Sequence, residues 1–122
     1  MDKINPFRAI LDVLRAREDK RLAAGVLYSE ELKCPCVMGA FIPEEVRNLT
    51  EEKWLVARQT LSCQFEFLSR AFRRYCEARG VTADIATWVQ ELNDERPNET
   101  PEARYKRVCN ALEERANEWD NT

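Results

Sequence analysis

The sequence predicts a mostly α-helical fold, and three observations lead to it. Only three glycines and five prolines occur in 122 residues, fewer turn formers than a many-turned all-β chain spends. Apolar residues recur at steps of three and four along most of the chain, the spacing that lays one face of a helix on a core. Several of these runs open on a capping residue followed by proline or an acid, and close on glycine. The expectation is an all-α fold: a compact single-domain bundle over residues 1–122, with about four to six helices around one core and a structured Cys-Pro-Cys connector.

The first helix opens at Asn5-Pro6, where asparagine caps the free N–H groups and proline tolerates the first helical position. Phe7, Ile10, Leu11 and Leu14 form its apolar face, and the expected end is near Ala24, closed by Gly25. Residues 28–43 are the irregular part, with Pro35 as the expected start of a short helix of one or two turns and Pro43 as its end or the start of the next. A strand over Val26 to Tyr28 is conceivable from composition but has no evident partner. From Thr50 onward helical spacing carries Leu61, Phe65, Leu68 and Phe72, as one long helix to about Arg79 or as two, and Gly80 is the stop. Thr82 caps the next helix, with Ile85, Trp88, Val89 and Leu92 on its inner side. Thr100-Pro101-Glu102 restarts the chain as a final helix carrying Tyr105, Val108 and Leu112, and Trp119 either folds back onto the core or stands exposed. The expected core is the union of these apolar faces, joined by Val37 and Phe41.

Composition narrows the chemistry. Hydrophobic residues at 44% and charged residues at 34% supply enough apolar surface to offset chain entropy. The net charge of −3 lacks the basic surplus that a nucleic-acid module uses against phosphates. Histidine does not occur, which removes Ser-His-Asp and Cys-His catalysis, His-ligated metals and the near-neutral proton shuttle. No leader-like or membrane-spanning apolar run is seen, so a cytoplasmic protein off the membrane is expected, with five free thiols.

Four features invite a chemical reading. Cys34 and Cys36 flank Pro35 at an expected helix start, where a helix N-terminus favours thiolate, so both are candidate reactive thiols. A zinc site wants about four ligands in two close pairs, and here there is one pair at the wrong spacing. No metal and no cofactor are therefore expected. Cys63, Cys76 and Cys109 fall among apolar neighbours, as packing cysteines do. Gly39-Ala40 suits close packing better than a phosphate loop, which needs more glycine. Asn93-Asp94 at a helix end suits bonding to local backbone, against general acid–base work. Arg70, Arg73 and Arg74 share one helix face and form a candidate partner-binding site, against the alternative of a solvated face shared with Glu66 and Glu77.

Taken together, Cys36-x-x-Gly39-Ala40, then Leu92-Asn93-Asp94, then Thr100-Pro101-Glu102-Ala103-Arg104-Tyr105 and Val108, resemble a pattern in small uncharacterised bacteriophage and bacterial proteins. The resemblance covers about half of the chain in two pieces. Ala103 stands where that pattern has an acid, and Tyr105 where it has Phe. It implies an origin among phage or mobile-element genes and a fold in which the Gly-Ala segment packs near the Asn-Asp turn. The functional expectation is a non-enzymatic protein that binds and modulates or inhibits a host protein complex, such as a defence system. The alternatives are a nucleic-acid-associated regulator using the arginine face, and a small thiol- or carboxylate-dependent enzyme. Oligomeric state is open.

Overall fold

A computed structural model describes residues 4–47, 70–96 and 98–121, and over these the chain is mostly helical. Helix α1 spans Pro6–Ala16. A two-residue strand β1, Tyr28–Ser29, pairs antiparallel with β2, Cys34–Pro35, in the register Tyr28 to Pro35 and Ser29 to Cys34. Helix α2 covers Val37–Phe41, and residues 44–47 are again helical. Helix α3 spans Arg70–Ala78, α4 Ala83–Asp94 and α5 Pro101–Asp120.

The expected caps form. The Asn5 side chain accepts from the N–H groups of Phe7 and Arg8, Thr82 from Ile85 and Thr100 from Ala103. Gly80 sits at φ 78°, the left-handed backbone that ends α3. Residues 51–69, which include Leu61, Phe65 and Leu68 of the expected core and the question of one helix or two, lie outside the described residues.

Three expectations on the first third of the chain are corrected. Helix α1 stops at Ala16, well before Ala24. After Leu14 the next positions on the apolar face are 17, 18 and 21, and these are Arg, Glu and Arg, so nothing holds a longer helix to the core. The chain instead turns extended at Arg17, and Leu22, Ala23 and Leu27 are buried from an irregular segment. Second, β1 does have a partner, in β2. Third, Pro35 lies in β2, its carbonyl accepting from Ala23 N–H at 2.8 Å, and the helix begins two residues later behind Cys36.

The core joins α1, α2, α4 and α5. Ile10, Leu11, Leu14, Val37, Val89, Val108 and Leu112 are fully enclosed, with Phe7, Phe41 and Phe72 close to it. Ile85, Trp88, Leu92 and Tyr105 are half-buried against this cluster. Helices α1 and α5 run antiparallel. Asn5 Nδ2 donates to the Ala116 carbonyl at 2.9 Å, and at the other end the Tyr105 hydroxyl donates to the Leu14 carbonyl at 3.1 Å. Trp119 folds back, its ring edge-on to Phe7 at 6.0 Å.

Helix α2 is buried at every one of its residues. Gly39 makes that possible, because a Cβ there would collide with the backbone carbonyl of Leu27. The close approach reads as packing, the plainer of the two meanings offered by Gly39-Ala40.

Candidate functional site

Two groups of polar residues stand out, one buried and one exposed. The buried group starts at the foot of α4. Asn93 is fully enclosed. Its Oδ1 accepts from Val37 N–H at 3.1 Å, capping the first turn of α2 from outside. Its Nδ2 donates to the Ala23 carbonyl at 2.9 Å and to Asp94 Oδ1 at 2.7 Å. Asp94 Oδ1 also accepts from Gly25 N–H at 3.0 Å, and Oδ2 accepts from Gln90 Nε2 at 3.0 Å. Gln90 Oε1 faces Cys36 Sγ at 3.4 Å, and the same sulfur accepts from Gly39 N–H at 3.4 Å. One side-chain chain thus ties α4 to the 23–25 turn and to the start of α2. Helix α4 continues through Asp94, so the Asn-Asp pair does not bond local backbone as expected; it reaches across to distant backbone instead.

Cys36 does stand at a helix start, as the sequence indicates, but its surroundings are those of a packing thiol. It is fully buried, and burial pushes its thiol up to about 12. Cys34 is likewise enclosed and raised by burial. Desolvation of the charged sulfur outweighs what a helix of five residues offers a thiolate. Cys76, also pushed up to about 12 by burial, and Cys109 are free and buried. Cys63 lies outside the described residues. Among the described residues no group of three or more Cys, Asp or Glu is placed to hold a metal ion.

The buried group continues into the α4–α5 turn, a part that sequence reasoning missed. Arg104 is 2% exposed and donates to the carbonyls of Leu22, Arg96 and Glu99 at 3.0, 2.9 and 3.1 Å. Arg107 Nη1 donates to the Leu92 carbonyl at 2.7 Å, and Nη2 to that of Asn93 at 3.3 Å, capping the last turn of α4 with a cation. Its Nε donates to the Glu99 carboxylate at 3.0 Å and its Nη2 at 2.9 Å. Hydrogen bonds from Arg107, with the positive charge of Arg107 and Arg104, hold Glu99 below the usual carboxylate range. The signal was available: Arg104, Val108 and Leu112 recur every four residues, so the arginine occupies the apolar stripe.

The exposed group is on α3. Arg70, Arg73 and Arg74 are all exposed, while Phe72 and Cys76 face the core. Arg73 Nε pairs with Glu77 at 3.1 Å. Among the described residues, the side chains of Arg70 and Arg74 make no hydrogen bond or ion pair. Other arginines are put to use within the fold. Arg8 binds Asn117 and Asp120, Arg15 binds Glu113, Arg21 binds Glu102, and Arg79 stacks on Tyr75 at 3.6 Å. Arg115 lies over the rings of Phe7 and Trp88. Residues 70–79 hold four arginines and one glutamate in a chain of net charge −3, so α3 is a local basic ridge on an acidic protein.

No protein-family model matches the chain, and no curated protein or solved structure matches it either. No helix among the described residues is long and apolar enough to cross a membrane.

Proposed function

We propose that this chain is a compact helical bundle of one domain that carries out no chemistry of its own and acts by binding another protein through the Arg70, Arg73 and Arg74 face. The observation that carries this reading is the contrast between the two polar groups. The buried residues Asn93, Gln90, Asp94, Arg104 and Arg107 bond to backbone, to one another and to the buried neighbours Glu99 and Cys36, as structural struts do. The guanidinium groups of Arg70 and Arg74 are exposed and unspent. A guanidinium fork matches carboxylates in pairs, and arginine is over-represented among the residues that dominate protein interfaces. The resemblance to phage and bacterial proteins supports a host protein or complex as the partner, and the modulation or inhibition of that complex as the outcome.

The same free arginines support contact with nucleic acid, and experiment separates the two. The partner is identified by affinity capture with the wild-type protein, then remeasured purified against wild type and the Arg70→Glu, Arg74→Glu variant, beside duplex DNA and RNA of equal length. Protein binding that needs the arginines, with nucleic acid held no better by wild type than by the variant, supports the proposal. A salt-dependent nucleic-acid affinity that is lost in the variant, with no protein partner, overturns it in favour of the nucleic-acid reading.

A further inference from the structure

Two of the arginines on and just after α3 are already occupied. Arg79 lies over the Tyr75 ring at 3.6 Å and donates to the Tyr75 carbonyl at 3.1 Å. Arg73 Nε donates to Glu77 Oε1 at 3.1 Å. Among the described residues, the side chains of Arg70 and Arg74 are exposed and unpaired. They stand four residues apart, so their Cβ atoms lie about 6 Å from each other on one face. Glu77 is the one acid among residues 70–79. Successive residues of a helix are about 100° apart, which sets Glu77 between Arg73 and Arg74 round the helix. It is four residues from the first and three from the second, within reach of either, and its carboxylate is bonded to Arg73. The two side chains of this pair are 55% and 54% exposed. So exposed a pair adds little to stability, and the fold does not require an acid at this position.

We infer that Glu77 sets the specificity of the ridge: by holding Arg73 it confines the site to Arg70 and Arg74, a pair that suits two carboxylates on a protein surface, and it keeps nucleic acid off. The inference rests on the protein-binding reading above and adds the residue that selects the class of partner. Affinity for nucleic acid grows with the number of phosphates neutralised, each contact releasing about one counterion. Two open cations beside a carboxylate, on a chain of net charge −3, supply few such contacts. Two carboxylates one helical turn apart need only two guanidinium forks. Position along the helix sharpens the difference. Glu77 lies seven residues from Arg70, about 10.5 Å along the axis. That distance is close to the range over which salt screens a charge. A compact carboxylate pair seated towards Arg70 is little affected by Glu77. A phosphate chain that follows the ridge past Arg74 meets the Glu77 carboxylate and finds Arg73 taken.

The test compares the full chain with Glu77→Gln, which removes the charge and keeps a good helix former at an exposed position. A labelled DNA duplex is titrated with each protein by fluorescence anisotropy over a range of salt, after circular dichroism has established equal helicity. Glu77→Gln is expected to bind at least about fivefold more tightly than wild type at about 50 mM salt, with a log–log salt slope steeper by about one, the mark of one added phosphate contact. Glu77→Ala, with the strongest helix former, is a second variant and is expected to show the same gain. Arg73→Gln, Glu77→Gln, which lacks the released arginine, is expected to return to within about twofold of wild type. Equal duplex affinity in wild type and Glu77→Gln, or no binding by either, overturns the inference. So does a double variant that keeps the whole gain, because the effect would then not run through Arg73. The two readings fail on separate measurements. Undiminished binding of the natural partner by Arg70→Glu, Arg74→Glu removes the protein-binding reading, whereas an unchanged duplex affinity in Glu77→Gln removes this inference alone.

Discussion

The side-chain oxygen of Asn93 accepts a hydrogen bond from the backbone N–H of Val37 at 3.1 Å, joining two positions 56 residues apart in the chain. Helix α2 is five residues long, too short to be stable by propensity. Its first turn is capped twice, by Asn93 at Val37 and by Cys36 Sγ at Gly39. The place of α2 in the core thus depends on a polar residue at the far end of α4, and the same residue holds the Ala23 carbonyl.

Asn93→Ala is expected to lower stability by about 2–4 kcal/mol, because it leaves the Val37 N–H and the Ala23 carbonyl buried without partners. Asn93→Asp keeps the acceptor but loses the donor and sets a second carboxylate beside Asp94, so it is expected to destabilise as well. Urea unfolding with a constant slope measures both. A loss under about 0.5 kcal/mol in Asn93→Ala would show that the network bears no weight.

Gly39→Ala is expected to destabilise by about 1–3 kcal/mol, the usual range for forcing extra atoms into a packed core. The sign is the informative part. In an exposed helix the same change stabilises by about 1 kcal/mol, but here the new Cβ meets the Leu27 carbonyl, which is backbone and has little freedom to move. A raised melting temperature would contradict the close approach of α2 and Leu27.

Cys36 and Cys76 are expected to resist alkylation in the folded protein at pH 8 and to react fully once unfolded. Both are buried, and burial pushes both thiols up to about 12, so the thiolate fraction at pH 8 is minute. Peptide mapping after timed iodoacetamide treatment measures this site by site. Rapid labelling of Cys36 in the native protein would restore the reactive-thiol reading.

Much of the fold was legible because helix starts and stops are local chemistry. Asn5-Pro6, Thr82, Gly80 and Thr100-Pro101 each act on backbone within a few residues, so their roles follow from sequence alone. The 17–36 segment was not legible, since its order comes from distant partners. Leu22 N–H donates to the Pro101 carbonyl at 3.1 Å and Gly25 N–H to Asp94 at 3.0 Å. Of the site, Arg70, Arg73 and Arg74 were visible as one face, because helical spacing places charges as surely as it places apolar residues. Gln90, Arg104 and Arg107 were passed over for the opposite reason: polar residues on an inner stripe look like interruptions until the carbonyls they satisfy are seen. Trp88 was expected at the centre of its helix face and is half-buried, shielded on its outer side by the Arg115 guanidinium at 5.0 Å.

Glu99 gives the fold an acid-sensitive contact. Its folded carboxyl is held below the ordinary range, first by hydrogen bonds from Arg107, whereas in the unfolded chain it titrates near 4.3 or about that value. A depressed folded value adds stability that is fully present above the unfolded value and is lost as pH falls from there through the folded one. Glu99→Gln is therefore expected to lower stability at neutral pH and to flatten the fall in stability below about pH 4. Chemical denaturation repeated across pH measures the two slopes. Parallel curves for wild type and variant would show that the Arg107 pair contributes nothing to the acid limb.

The central claim is that the interior polar residues hold the fold while the α3 arginines bind. It is tested most directly by the affinity of the folded Arg70→Glu, Arg74→Glu protein for the partner recovered with wild type, measured by calorimetry after circular dichroism has established its helicity. The account predicts at least about a hundredfold loss, near 3 kcal/mol and within the range of interface hot spots, with the melting temperature unchanged. Wild-type affinity in a folded variant would contradict it.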